Sequence, residues 1–296
     1  MEINGVIIED TYAEAFPSWI SEVLITAATR YLAHEAGEHA TGFASSLIGS
    51  GVEAGIDRYL SPNDTPDGRP GCIILMAHPD KQQLKNQALQ RLAECVLTAP
   101  TAAIFDGFPD TPEKIPVRLH FYGDGYEYQT QVGNRNVWAI PIMGGEFIVE
   151  ENIGIVQGIA GGNFLIMGTD QMSTLTAGQA AVEVIDATDG AAASFPSGVT
   201  GSGSKVGSRK YKFMKATTND AFCPTIKEKN PNSLVPDGVK AIFEIIIDGV
   251  SMEVVKRAMA DGIRAACRTP GVTHISAGNY GGTLGPYKFY LHELLS

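Results

Sequence analysis

Apolar and polar positions change period along this chain in an order that occurs twice. From Ala241 the run AIFEIII reads as a short apolar strand. The stretch Ser251 to Cys267 after it places Val254, Val255, Ala258, Met259 and Ile263 on one helical stripe. Ser251 is the expected N-cap, with Glu253 in the first turn. Earlier, the segment PDGRPGCIILMAHPDKQQLKNQALQRLAECVLTAPTAAIFDG begins at Pro66. It lies over PDGVKAIFEIIIDGVSMEVVKRAMADGIRAACRTPGVTHISAG, from Pro236, at a largely gapless shift of 170 residues (236 − 66). Pro66, Asp67 and Gly68 fall on Pro236, Asp237 and Gly238, Ala88 on Ala258, and Pro100 on Pro270. In the earlier copy Asp80 can cap a helix carrying Leu84, Leu89, Leu92 and Val96.

A weaker correspondence precedes each PDG turn, at a smaller shift. EVLITAATRYLAHEAGEHATGFASSLI matches NFLIMGTDQMSTLTAGQAAVEVIDATDG, continued through VTGSGSKVG: a strand, a helix, then a Gly/Ser-rich strand. Each half therefore spells βαββαβ, the ferredoxin-like split order, which predicts a four-stranded antiparallel sheet with two helices on one face. The expected fold is α+β, with two ferredoxin-like lobes from an internal duplication over residues 1–145 and 146–296. The strand- and turn-rich stretch from Phe121 to Phe164 reads as hairpins extending the first lobe and leading into the second. No low-complexity linker separates the halves, so they should pack closely.

Composition narrows the partners. The 296 residues carry 22 Lys plus Arg against 33 Asp plus Glu, a net charge of −11, which disfavours a phosphate backbone or an anionic bilayer. Neither nucleic acid nor membrane is an expected partner. No apolar run approaches the roughly 18 residues of a spanning helix, and acids stand where a secretory signal needs bases, so a cytoplasmic protein is expected. Cys72, Cys95, Cys223 and Cys267 are far apart and without a CxxC pair, as expected of buried reduced thiols rather than a zinc or disulfide framework. No metal site is expected.

Few local patterns carry chemistry. His34 and His39 are five apart and diverge by about 140° on a helix, so HEAGEH lacks the spacing of a metal-binding pair and reads as a solvated face. GSGSKVGSRKYK, from Gly201, gathers Lys205, Arg209, Lys210 and Lys212. It suits either an anionic substrate or a solvated basic strand end, and it is neither a Walker loop nor a dinucleotide fingerprint. Ser202 and Ser204 read as donors rather than nucleophiles. Glu244 stands inside an apolar strand on the face of Ile242 and Ile246, where a carboxylate is costly. Its counterpart at the 170 shift is Ile74. Either it is an edge-strand glutamate facing solvent or a lysine, or it is a functional acid whose pKa burial would raise. The run His274 to Gly282 ends the second copy with glycines that allow either close backbone approach to a ligand or a sheet corner.

The motifs ITAA, ATGF, TPDGRPG, TAPTAA, FxGDGY, GEFIVE, GIAGGNF, SKVGS, TNDAFCPT and ISAGNYGG together resemble the formylmethanofuran:tetrahydromethanopterin formyltransferase family of archaeal one-carbon metabolism, along essentially the whole chain. The resemblance implies homo-oligomers, dimer to tetramer. It also implies formyl transfer from formylmethanofuran to N5 of tetrahydromethanopterin or a close relative such as tetrahydrosarcinapterin. Methanofuran and tetrahydromethanopterin then serve as coenzyme substrates, without a metal or prosthetic group.

In that family a glutamate in the strand after the PDG turn lies near the transferred formyl group, which here is Glu244. Protonated, it would donate to the oxyanion, helped by backbone amides near Ser204, Lys205, Val206 and Gly207 or near Asn279, Tyr280 and Gly281. Both substrates are anionic, which gives Lys205, Arg209 and Lys210 a use. Thr41, Gly42, Phe43 and Ser46, in the ATGF segment, are candidates for the pterin side. The alternatives are the related formyltransferase subunit of a formyltransferase/hydrolase complex, or a non-catalytic pterin-binding scaffold.

Overall fold

The computed structural model describes residues 1–296 apart from the side chain of Ile48. The chain opens with the hairpin β1 (Glu2–Ile3) and β2 (Val6–Ile8). It then runs through β3 (Tyr12–Thr26), α1 (Arg30–Thr41), the single turn α2 (Leu47–Ser50), β4 (Glu53–Leu60), β5 (Gly71–His78), α3 (Lys81–Arg91) and β6 (Ala103–Asp106). Next come β7 (Lys114–Pro116) and three hairpin strands, β8 (Tyr128–Val132), β9 (Arg135–Ile142) and β10 (Gly145–Val149). The second half comprises β11 (Asn152–Gly168), α4 (Gln171–Ile185), β12 (Ala191–Ala193), the small pair β13 (Lys205–Val206) and β14 (Ala216–Thr217), and β15 (Ala241–Gly249). It closes with α5 (Met252–Ala266), β16 (Val272–Ser276), β17 (Tyr287–Tyr290) and α6 (Leu291–Leu294).

The expected βαββαβ order appears twice. The first set lies in the antiparallel order β6-β3-β5-β4 and the second in the order β16-β11-β15-β12. Their first strands, 15 and 17 residues long, also pair with each other from Ile155 opposite Ser21 to Ala160 opposite Phe16. One mixed, mostly antiparallel sheet therefore runs through the whole α+β chain, its parallel neighbours being β10 with β6 and β16 with β2.

Each main helix begins on a side-chain cap that accepts a hydrogen bond from an otherwise unpaired N–H. Thr29 accepts from Leu32 at 3.2 Å, Asp80 from Gln83 at 2.8 Å, Asp170 from Ser173 at 2.9 Å and Ser251 from Val254 at 3.2 Å. The caps Thr29 and Asp170 are 141 residues apart (170 − 29), whereas Asp80 and Ser251 are 171 apart (251 − 80). The cores obey the same two shifts. Val23, Ile25, Ile74, Met76, Leu84 and Leu92 pack between sheet and helices in the first set; Phe164, Ile166, Ile245, Ile247, Val255 and Ile263 do so in the second.

This corrects the gapless register. One residue is gained between the PDG turn and the strand, and a slip of one residue exchanges the faces of a strand. The counterpart of Glu244 is therefore Ile73, opposite Leu24 as Glu244 is opposite Leu165. Ile73 is on the sheet face away from the helices, where it clusters with Leu24 and Phe105 of its own sheet and with Val137 of the hairpins.

The Gly/Ser-rich strand also departs from expectation. The second strand of the second set is β12, which ends at Ala193. Phe195 and Ser197 then take φ of 78° and 57°, values unusual for residues with a Cβ, and the chain leaves the sheet. Only Thr200 returns to it, as a single bridge to Glu244, and Lys205–Val206 pairs with Ala216–Thr217 outside the main sheet. Of the cysteines, all free, Cys72 and Cys267 are buried as expected and Cys95 and Cys223 are only half-buried. Among the described residues, no helix is long and apolar enough to cross a membrane.

Gly55 of β4 marks how tightly the two sets meet, since a Cβ there would stand 2.5 Å from the carbonyl oxygen of Ala193 in β12. Gly55→Ala is expected to cost about 1 to 3 kcal/mol through backbone displacement, seen as a lower urea midpoint at unchanged slope.

Candidate functional site

Glu244 sits at the middle of β15, opposite Leu165 of β11 on one side and Thr200 on the other. Thr200 N donates to Glu244 O at 2.8 Å and Glu244 N donates to Thr200 O at 2.9 Å, the double bond pattern that sets two side chains next to each other on one face. That face is turned away from the helices, and beyond Ala193 the departing chain leaves it open. A cavity of about 500 Å³ results, lined by Glu244, Thr200, Ser202, Gly203, Ser204 and, from the first set, Ser46. A second hollow of about 430 Å³ also reaches Glu244, on the side of Asn219, Lys240 and Phe243. Burial pushes the Glu244 carboxyl from 4.5 up to about 7, so near neutrality a large share of it carries a proton.

The loop over residues 277–286, after β16, stands as a wall beside the Glu244 carboxyl, apart from the residues that line the two cavities. Gly278 N donates to Asn163 Oδ1 at 2.6 Å and Asn163 Nδ2 donates to Gly278 O at 3.2 Å. A Cβ on Gly278 would stand 3.1 Å from Asn163 Oδ1 and 3.4 Å from Glu244 Oε1. The glycine thus permits close approach, here to the glutamate. Tyr280, two residues on, has its phenol pushed up by burial and by the negative charge of Glu244, with the neighbouring Ser204 hydroxyl pulling the other way.

Comparison with known proteins shows the family of the chain. A family model described as formylmethanofuran-tetrahydromethanopterin formyltransferase matches residues 1–142, and one described as the proximal lobe of the same family matches residues 145–294. Proteins named formylmethanofuran–tetrahydromethanopterin formyltransferase from Methanosarcina acetivorans and Methanothermobacter thermautotrophicus are 54% and 52% identical over 99% of this chain and 100% of their own length. The chain belongs to this formyltransferase family. The solved formyltransferase of Methanosarcina barkeri superposes with a TM-score of 0.95 at 53% identity, covering 99% of this chain and 100% of its own. The formyltransferase/hydrolase complex of Methylorubrum extorquens, solved with methylofuran, matches at a TM-score of 0.93 and 40% identity over 100% of this chain and 99% of its own.

Within this formyltransferase the expected site residues fall into three groups. Glu244, Ser204 and Ser46 share one cavity, with Tyr280 beside it. Thr41, Gly42 and Phe43 line a neighbouring cleft of about 610 Å³ between α1 and residues 193–198, and Phe195 borders both spaces. The others are engaged elsewhere. Lys205 is ion-paired with Asp220, Gly207 N donates to Lys215 O at 2.7 Å, and Val206 and Arg209 are exposed. Asn279 Nδ2 donates to Thr11 Oγ1 and Tyr12 O at 3.2 and 3.1 Å, and Gly281 N donates to Asn279 Oδ1 at 3.2 Å. Among the described residues, no group of three His, Cys, Asp or Glu side chains stands ready to hold a metal.

Four residues escaped the sequence reading: Thr200, Phe195, Asn163 and Glu14. Asn163 and Glu14 did leave a signal, as polar side chains inside long, largely apolar strands, but one they share with Ser18, Ser21, Glu22 and Gln157. Thr200 and Phe195 left none, because their importance comes from where the second strand breaks.

The raised Glu244 pKa has a measurable consequence. Between pH 4.5 and about 7 the folded chain holds a proton that the unfolded chain has released, so this group's contribution to stability falls as pH rises through that window. Glu244→Gln is therefore expected to gain stability relative to wild type on going from pH 5 to pH 8, read from urea midpoints; equal pH profiles would contradict it.

Proposed function

We propose that this chain transfers a formyl group from formylmethanofuran to N5 of tetrahydromethanopterin, or of a close relative such as tetrahydrosarcinapterin, within one ternary complex. The observation that carries the reading is a proton-holding glutamate on the wall of a cavity built from both halves of the chain, in a member of this family. A formamide is a poor acyl donor. Attack of the pterin N5 on the formyl carbon forms the new C–N bond and places negative charge on the formyl oxygen. Collapse breaks the bond to the methanofuran nitrogen, which leaves with the proton released from N5. Protonated Glu244 donates to the oxyanion, a contribution of about 3 to 4 kcal/mol for one well-placed donor, and the remaining rate enhancement comes from holding the two reactants together.

Both coenzymes are substrates rather than resident groups. The cavity at Glu244 suits the formyl end of the furan coenzyme, and the adjoining cleft with Thr41, Gly42 and Phe43 suits the pterin, Phe195 lying between them. Lys210 and the exposed Arg209 remain available to coenzyme carboxylates; Lys205 is available only if Asp220 releases it. We read the two βαββαβ sets as duplicated ferredoxin-like lobes dividing near residue 145, and the active form as a cytoplasmic homo-oligomer, dimer to tetramer. If subunits share the cleft, specific activity falls on dilution below the assembly constant.

A second reading is favoured by one observation, the likeness to the Methylorubrum formyltransferase/hydrolase complex. On that reading the same transfer occurs beside a hydrolase, and a metallohydrolase co-purifies with the chain. The deciding measurement for activity is ultraviolet absorbance after mixing the protein with formylmethanofuran and tetrahydromethanopterin. Wild type should convert the pterin to its N5-formyl form, and Glu244→Ala should lower kcat by about 10² to 10³. No spectral change with wild type would reject the reading.

A further inference from the structure

Residues 277–286 form the wall beside Glu244 without helix or strand of their own. A single carboxylate gathers four of their backbone amides. Glu14, on β3 and 2% exposed, accepts four backbone hydrogen bonds: Oε1 from Tyr280 N at 2.7 Å and Gly282 N at 2.5 Å, Oε2 from Leu284 N at 3.0 Å and Gly285 N at 2.7 Å. Gly281 and Gly282, with φ of 70° and 76°, bend the chain so that its N–H groups converge in a nest around the carboxylate. β17 continues the loop back along β3, where Lys288 pairs with Glu14 in register, so both the start of the wall and its return are referred to this one residue. From the other side Asn163 holds Gly278.

We propose that Glu14 is a positioning residue for formyl transfer: by gathering four amides of the 280–285 loop it fixes Tyr280 and Gly278 against Glu244. The proposal rests on the formyltransferase reading above. Buried charge would ordinarily be expelled; here the amides outweigh the burial and hold the Glu14 carboxyl below its usual range, so it stays anionic at the pH of the reaction. Glu14 and Glu244 are thus opposite cases. One carboxyl is kept charged to organise backbone, and the other is kept protonated to meet substrate.

Glu14→Gln keeps the volume but turns one acceptor oxygen into an NH₂ that confronts two N–H groups. Hydrogen exchange should then speed up by about tenfold or more at Tyr280, Gly282, Leu284 and Gly285. With both coenzymes saturating, kcat per folded molecule should fall by about tenfold while KM changes less. A residue that merely stabilises the fold would lower the melting temperature and leave kcat per folded molecule intact. Unchanged kcat in the variant, beside normal transfer by wild type, overturns the positioning role alone. Absence of transfer by wild type rejects the formyltransferase reading and takes the positioning role with it. A measurement on the wild-type chain does not depend on the variant folding: the four amides should exchange about a hundredfold more slowly than that of Thr283. Loop-like exchange at all four overturns the clamp.

Discussion

The antiparallel pairing of β3 with β11 is the constraint on which the rest of the molecule depends. A strand of five or six residues serves one sheet; these two, at 15 and 17 residues, each serve their own βαββαβ set with one half and meet each other with the other. The pairing fixes the two sets in register, packs Ile20, Leu75, Ala77, Ala160 and Ala192 between them, and sets Gly55 against Ala193. It also delivers Glu14 and Asn163, one from each strand, to the two ends of the loop beside Glu244. The site is therefore a property of the junction, and neither set could build it alone.

The two βαββαβ sets present corresponding sheet faces, and the two faces differ in use. In the first set Ile73 lies under the hairpin residue Val137, and the face is sealed. In the second, the neighbouring strand β12 stops at Ala193, the chain turns out through the positive φ angles of Phe195 and Ser197, and Thr200 alone comes back. Residues Val235 and Val239 close part of the face over Leu165 and Met167. What stays open is the cavity at Glu244. Strained backbone of this kind costs of order 1 to 3 kcal/mol per residue, and Phe195 and Ser197 place it in the segment that separates the two spaces in which we place the two coenzymes.

Much of this architecture was legible in the residues. The caps Asp80 and Ser251, the strand-helix order and the hairpin insertion follow from spacing and turn chemistry, and Glu244 stood out as an acid in an apolar strand. The failures have physical causes. A gapless alignment slipped by one residue because a PDG turn constrains its own geometry, not the length of chain from turn to strand; the caps Asp80 and Ser251 carry the true shift. VTGSGSKVG has strand-like alternation, but the strand had already ended upstream, at a place where only backbone conformation records the break. Lys205 looked like a free cation because its partner, Asp220, is 15 residues away in sequence.

A raised carboxyl pKa does not by itself identify the site, and the junction supplies the contrast. Burial pushes Asp57 up to about 8, against the pull of Arg58, yet Asp57 is completely enclosed and accepts from Gly190 N at 3.1 Å, fastening β4 to the turn before β12. Asp248, pushed by burial to about 6, accepts from Gly161 N at 3.0 Å and is hydrogen-bonded with Glu53 across the same junction. Both acids are held by backbone N–H groups of the second set, and Asp57, although it borders the cleft beside α1, is itself enclosed. Glu244 has the same desolvated carboxyl, but burial is the sole cause of its shift and a cavity lies in front of it. An acid that is costly to bury, unpaired and facing open space is spending stability on chemistry, whereas its buried neighbours return theirs as structure.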